Sequence, residues 1–107
     1  MTLGRLIKLV RTHRNKNQNE MAELLGISQN YLSLVESEKK QPSAELISKF
    51  AERLEISHDA LIFAASDIPA ELDADGRKDY KRLQNNILSL LLFEVTGELG
   101  KIEEVQS

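Results

Sequence analysis

The segment Gln18 to Glu36, QNEMAELLGISQNYLSLVE, constrains the fold more than any other stretch of this chain. Asn17, with Glu20 three residues on, forms a capping-box pattern that opens a helix, and Gly26 stops that helix after about two turns. Ser28 then caps a second helix, in which Tyr31, Leu32 and Val35 supply the apolar face. Two short helices joined by so tight a turn must cross steeply. They need a small residue where they touch, a turn residue able to adopt positive φ, and apolar anchors on the second helix. Ala22, Gly26, and Leu32 with Val35 meet those needs in order.

The surrounding pattern is helical throughout, with no strand alternation and no internal repeat. Thr2 caps a first helix that runs to about His13 or Arg14, with Leu3, Leu6, Ile7 and Val10 on one face. Lys39-Lys40-Gln41-Pro42 breaks the chain after the third helix, because the residue before Pro is pushed out of helical geometry. Ser43 caps a fourth helix with Leu46, Ile47, Phe50, Ala51 and Leu54 inward. Ser57 or Asp59 opens a short fifth through Leu61, Ile62 and Ala65. Residues 66–76, rich in acids and containing Pro69, read as a linker. A sixth helix is expected from Arg77 to Thr96, with Gly97 as its stop. Its apolar residues exceed what one buried face needs: Tyr80, Leu83, Ile87, Leu90 and Leu91 form one stripe, Leu88, Leu92 and Val95 another, with Phe93 between. That surplus is covered either by the first five helices or by a second copy.

Composition removes several functional classes. Among 107 residues there is no Cys, which excludes a disulfide framework, a thiolate metal site and a cysteine nucleophile. The longest nearly apolar run, Ile87 to Phe93, is far short of the roughly 20 residues that a membrane span requires. Residues 1–17 carry Arg5, Lys8, Arg11, Arg14 and Lys16, unlike a signal peptide, so a soluble cytoplasmic protein is expected. His13 and His58 have no partner at metal-ligand spacing, and Asp67, Glu71, Asp73 and Asp75 lack the pattern of a calcium loop. No phosphate-cradling Gly loop is present. The reading is therefore of a protein without catalysis, metal or cofactor. The net charge of −3 conceals an asymmetry: residues 1–42 hold seven bases and four acids, residues 43–107 seven bases and 13 acids. A basic half suited to an anionic partner is joined to an acidic one.

The coupled spacings of the NQNEMA opening, the LGIS turn, the YLSLVE helix and the KKQPS loop resemble the helix-turn-helix of the Cro and lambda-repressor-like group, also called the xenobiotic response element family. The resemblance extends over roughly Leu3 to Ile62. It implies an all-α protein with a five-helix DNA-binding domain at residues 1–65, to which the residue pattern adds a linker at 66–76 and a C-terminal dimerisation helix and tail at 77–107. In such proteins the second helix of the motif lies in the major groove of double-stranded DNA and its first residues read base edges. Carried over, Ser28 bonds a phosphate, Gln29 and Asn30 point at bases, and Ser33 and Leu34 face the groove floor one turn later. The chemistry suits those roles, since Gln or Asn bonds adenine N6 and N7 together and Leu meets a thymine methyl. Tyr31 either donates to a phosphate or packs on the fourth helix.

Gln18 matches the family's glutamine at the start of the short helix, where it meets a phosphate or serves the cap. Arg11 and Glu36 match a structural pair joining the first helix to the end of the recognition helix. Arg14, Lys16, Lys39 and Lys40 flank that helix and are read as phosphate clamps, or as a plain solvated face. One departure is Glu38, where the family has Gly. The surplus apolar surface of the sixth helix suggests a homodimer through Leu83, Ile87, Leu90 and Leu91, which fits the family's habit of reading two half-sites, and the resemblance implies a prokaryotic or phage transcriptional regulator. A repressor on an inverted-repeat operator is the expectation. The alternative is an interaction module, such as the antitoxin of a toxin-antitoxin pair, whose C-terminal helix engages a protein partner and whose DNA binding is secondary.

Overall fold

The computed structural model describes residues 1–93, which form six helices and no strand. They are α1 (Leu3–His13), α2 (Gln18–Leu25), α3 (Gln29–Glu36), α4 (Ala44–Arg53), α5 (His58–Ala65) and α6 (Ala74–Leu92). Each begins with the same device. A polar side chain in extended geometry accepts the backbone N–H three residues on: Thr2 from Arg5, Asn17 from Glu20, Ser28 from Tyr31, Ser43 from Leu46, Ser57 from Ala60 and Asp73 from Gly76. That bond satisfies one of the donors that a helix start leaves orphaned. At Asn17 the box closes reciprocally, the Glu20 carboxylate accepting the Asn17 N–H at 2.9 Å.

The ends of α1 to α4 are equally uniform. A residue with positive φ follows each, and the next N–H returns to a carbonyl five residues back: Lys16 to Arg11, Ile27 to Ala22, Lys39 to Leu34 and Ile56 to Ala51. Only α2 uses Gly, at Gly26; the others place Asn15, Glu38 and Glu55 in that conformation, with φ of 58°, 66° and 54°.

Leu6, Ile7 and Val10 of α1, Met21 and Leu25 of α2, Leu32 and Val35 of α3, Leu46 and Phe50 of α4 and Leu61 of α5 enclose one core. Helices α2 and α3 pack on each other, α1 lies against α3, and α4 bridges α2 to α5. Where α1 meets the end of α3 the backbones nearly touch: a Cβ on buried Gly4 would collide with the Val35 carbonyl oxygen. In α5 the buried stripe runs through Leu61 and Ala64, and Ile62 is 40% exposed.

Helix α6 starts three residues before the expected Arg77. Asp73, one of the acids read as linker, is its cap, and Gly76 fits in its first turn against Leu72. It ends at Leu92, short of the expected Thr96; Val95, Thr96 and the proposed stop at Gly97 lie outside the described residues. The helix folds back across α5 and α1. Near its start the Tyr80 ring lies 5.0 Å from that of Phe63, and the Tyr80 hydroxyl is 2.6 Å from Ser66 Oγ. Gln84 donates to the carbonyls of Ser66 and Phe63, capping the end of α5. Leu91, expected on a dimer face, is 6% exposed and belongs to the chain's own core, with Ile87, Leu88 and Leu92 packed beside it. The two stripes of α6 therefore divide differently from the sequence reading. Leu83 and Leu90 remain on the outside, 52% and 50% exposed. No described helix is long and apolar enough to cross a membrane.

Candidate nucleic-acid interface

The site is built around a buried ion pair. Glu36, in the last turn of α3, receives Arg11 Nε at 2.7 Å on Oε2 and Arg11 Nη2 at 2.9 Å on Oε1. Both residues are buried, and the third guanidinium nitrogen donates to the Lys16 carbonyl at 2.7 Å. One side chain thus fastens α1, the loop before α2 and the end of α3 together. A fork-shaped donor suits this task, since Lys could not make the paired bonds.

The pair also orients the residues outside it. Gln18, at the start of α2, donates Nε2 to Glu36 Oε1 at 3.0 Å and accepts the Gln29 amide on its own Oε1 at 2.7 Å. A carboxylate only accepts, so it dictates which end of the Gln18 amide faces it, and Gln18 in turn dictates the orientation of Gln29. Exposed Gln29 is left with its carbonyl oxygen and one N–H, an acceptor beside a donor. Asn30 is exposed next to it, and Ser33 and Leu34 are half-buried one turn later on α3.

The Ser28 hydroxyl accepts the Tyr31 N–H at 3.0 Å and keeps its proton for a further acceptor. Tyr31 reaches the start of the fourth helix, one of its two expected placements. Its hydroxyl accepts the Ser43 N–H at 3.2 Å at the start of α4, and its proton is left to donate. Lys39 and Lys40 are exposed in the turn after α3, where both backbone N–H groups bond the Leu34 carbonyl. Glu38 adopts the left-handed conformation that the family's Gly would occupy. Lys16 is half-buried before α2; neither it nor Lys39 nor Lys40 is paired with a carboxylate among the described residues.

Arg14 departs from expectation. Its guanidinium donates to the Leu54 carbonyl at 3.1 Å and the Phe93 carbonyl at 3.4 Å, and its Nε is buried without a partner. Those bonds hold it at the ends of α4 and α6, where helix carbonyls lack partners and a cation is favoured. It is occupied there rather than extended as a phosphate clamp. Nothing in the local sequence distinguished it from Lys16, because its partners lie 40 and 79 residues away. The Gln18–Gln29 link was hidden in the same way, joining two residues each read singly.

Comparison with known proteins agrees with this geometry. The helix-turn-helix family matches residues 7–61, half of the chain. Among curated proteins, the chain is similar to the ImmF control region 10 kDa protein of Bacillus phage phi105, 43% identical over 49 residues. The matched stretch covers 46% of this chain and 54% of the relative, so the chain spans about half the relative's length. No solved structure matches. The family match covers α2, the Gly26 turn and α3 together with the buried Arg11–Glu36 pair, and the chain belongs to the Cro and lambda-repressor-like helix-turn-helix family of DNA-binding regulators.

Proposed function

We propose that this protein is a sequence-specific binder of double-stranded DNA that acts as a homodimeric transcriptional repressor on an inverted-repeat operator, in a bacterial cytoplasm. The observation that carries the reading is the chain of bonds from Arg11 through Glu36 and Gln18 to Gln29. It holds an exposed amide, at the first turn of α3, with an acceptor and a donor free side by side. Adenine presents the complementary N6 donor and N7 acceptor in the major groove. Side chains that enter a groove already ordered lose less entropy on binding than free ones.

Around that reader, Ser28, Tyr31, Gln18, Lys16, Lys39 and Lys40 are assigned to phosphates, which set register and affinity rather than sequence. Asn30, Ser33 and Leu34 complete the base-facing surface. Exposed Leu83 and Leu90, with half-buried Ile87 between them, are assigned to the contact between copies. A second copy places two short recognition helices one duplex turn apart, about 34 Å, as a two-fold operator requires. The similarity to a phage control-region protein supports a regulatory role.

Selecting bound sequences from a random duplex pool tests the whole reading. The expected result is an inverted repeat with half-site centres about 10 base pairs apart. Enrichment of no sequence, or of a single unrepeated half-site, would overturn specific recognition in the first case and the symmetric dimer in the second.

A further inference from the structure

The Arg14 guanidinium bonds away from α3, and its partners are the carbonyls of the cap residues that follow two other helices. Nη1 bonds the carbonyl of Leu54, the residue after α4, and Nη2 that of Phe93, the residue after α6. Arg14 directly follows α1, one helical turn after Arg11, whose guanidinium holds Glu36. Neighbouring turns of chain therefore grip the recognition helix on one side and the end of α6 on the other.

Helix α6 is fixed at its first half by polar contacts to α5, through Tyr80 to Ser66 and Gln84 to Ser66 and Phe63. At its far end, among the described residues, the side chain that holds it by hydrogen bonding is Arg14; the rest is apolar packing around Leu91 and Leu92. Apolar packing resists separation but fixes rotation poorly, whereas a planar fork on two carbonyls is directional.

We infer that Arg14 is a positioning residue that fixes the direction of α6 relative to the DNA-reading helix and thereby sets the operator spacing that the dimer accepts. The inference rests on the proposed dimer through α6. In that dimer the path from the two-fold axis to each recognition helix runs through the junction of α6 with α1. Adding one base pair between half-sites moves them by about 3.4 Å and rotates them by roughly 35°. A stiff junction rejects that change and a loose one follows it.

The test uses the full chain and three versions of the selected operator, with its own spacer and with one base pair added or removed. Arg14→Met is expected to bind the optimal operator about fivefold more weakly, a modest coupling between sites. The penalty for the altered spacers should shrink, while the slope of log affinity against log salt stays that of the parent. Arg14→Lys keeps the charge without the fork; it guards against loss of folding in the Met variant and should show the same relaxed spacing. A variant that is folded by circular dichroism and retains the parent's spacer penalty overturns the inference. So does a salt slope lowered by about one unit, the mark of a lost phosphate contact. A parent that shows no preference among the spacers removes the dimeric reading itself, before either variant is compared.

Discussion

The Gln29 amide donates to Gln18 Oε1 at 2.7 Å, across the turn that separates α2 from α3. The two residues therefore act as one reader. Gln29→Ala is expected to weaken binding to the preferred site by about 1–3 kcal/mol and to relax preference at one base position. Gln18→Ala should relax the same position, and the double substitution should cost less than the two singles together. Site selection and titration on all three variants check this; two different relaxed positions would mean that the residues act independently.

Breaking the Arg11–Glu36 pair from one side strands a buried charge. Arg11→Met or Glu36→Ala should each cost about 3–5 kcal/mol in urea or thermal unfolding. Replacing both with apolar residues should recover part of that loss, since neither charge is then left alone. A double variant as unstable as the sum of the singles would show that the bonds from Arg11 to the Lys16 carbonyl and from Gln18 to Glu36 matter more than the pair itself.

Glu38 adopts φ of 66° without the freedom of Gly. Glu38→Gly should stabilise the fold by up to about 1 kcal/mol, and loss of the carboxylate should also tighten DNA binding. Both are measurable on the same sample, by melting and by titration. Lower stability in the variant would show that the Glu38 side chain makes a favourable contact outweighing the strain.

Gly4 lies where α1 crosses the end of α3. Gly4→Ala should destabilise the protein by about 1–3 kcal/mol, because the added methyl group has only the Val35 backbone to push against. Helix propensity alone predicts the opposite sign, with Ala better than Gly by nearly 1 kcal/mol. The melting temperature decides between them.

Leu83→Glu with Leu90→Glu should give a monomer that keeps all six helices, as judged by light scattering and circular dichroism, since both side chains already face outward. Removing α6 altogether should instead weaken the first five helices, because Leu91 leaves the core with it. A doubly substituted protein that remains dimeric would place the contact elsewhere.

The starts of α1 to α4 are legible because each depends on one polar residue and an N–H three positions away, and the capping box at Asn17 and Glu20 is readable in full. Ser28, Gln29 and Asn30 were equally legible as the opening of α3, since the LGIS turn fixes their place. What escaped the sequence were pairings over long separations. Leu91 fits either stripe of α6 by periodicity, and only its docking on α1 and α5 decides which side is inside. Asp73 reads as one more linker acid until a helix begins behind it. Arg14 and Lys16 look alike as cations two residues apart, yet the carbonyls that take the first come from residues 54 and 93.

The six side-chain caps have a kinetic consequence. With every helix start written within four residues, the unfolded chain does not have to search for where its helices begin, and folding reduces to docking pieces already delimited at one end. Chains rich in local contacts fold in microseconds to milliseconds. The slow event should be closure of the 25-residue loop between Arg11 and Glu36, since both charges must lose water before either gains its partner. Caps formed before that closure, and the pair formed in it, should thus both act on how fast the native state assembles and little on how fast it falls apart.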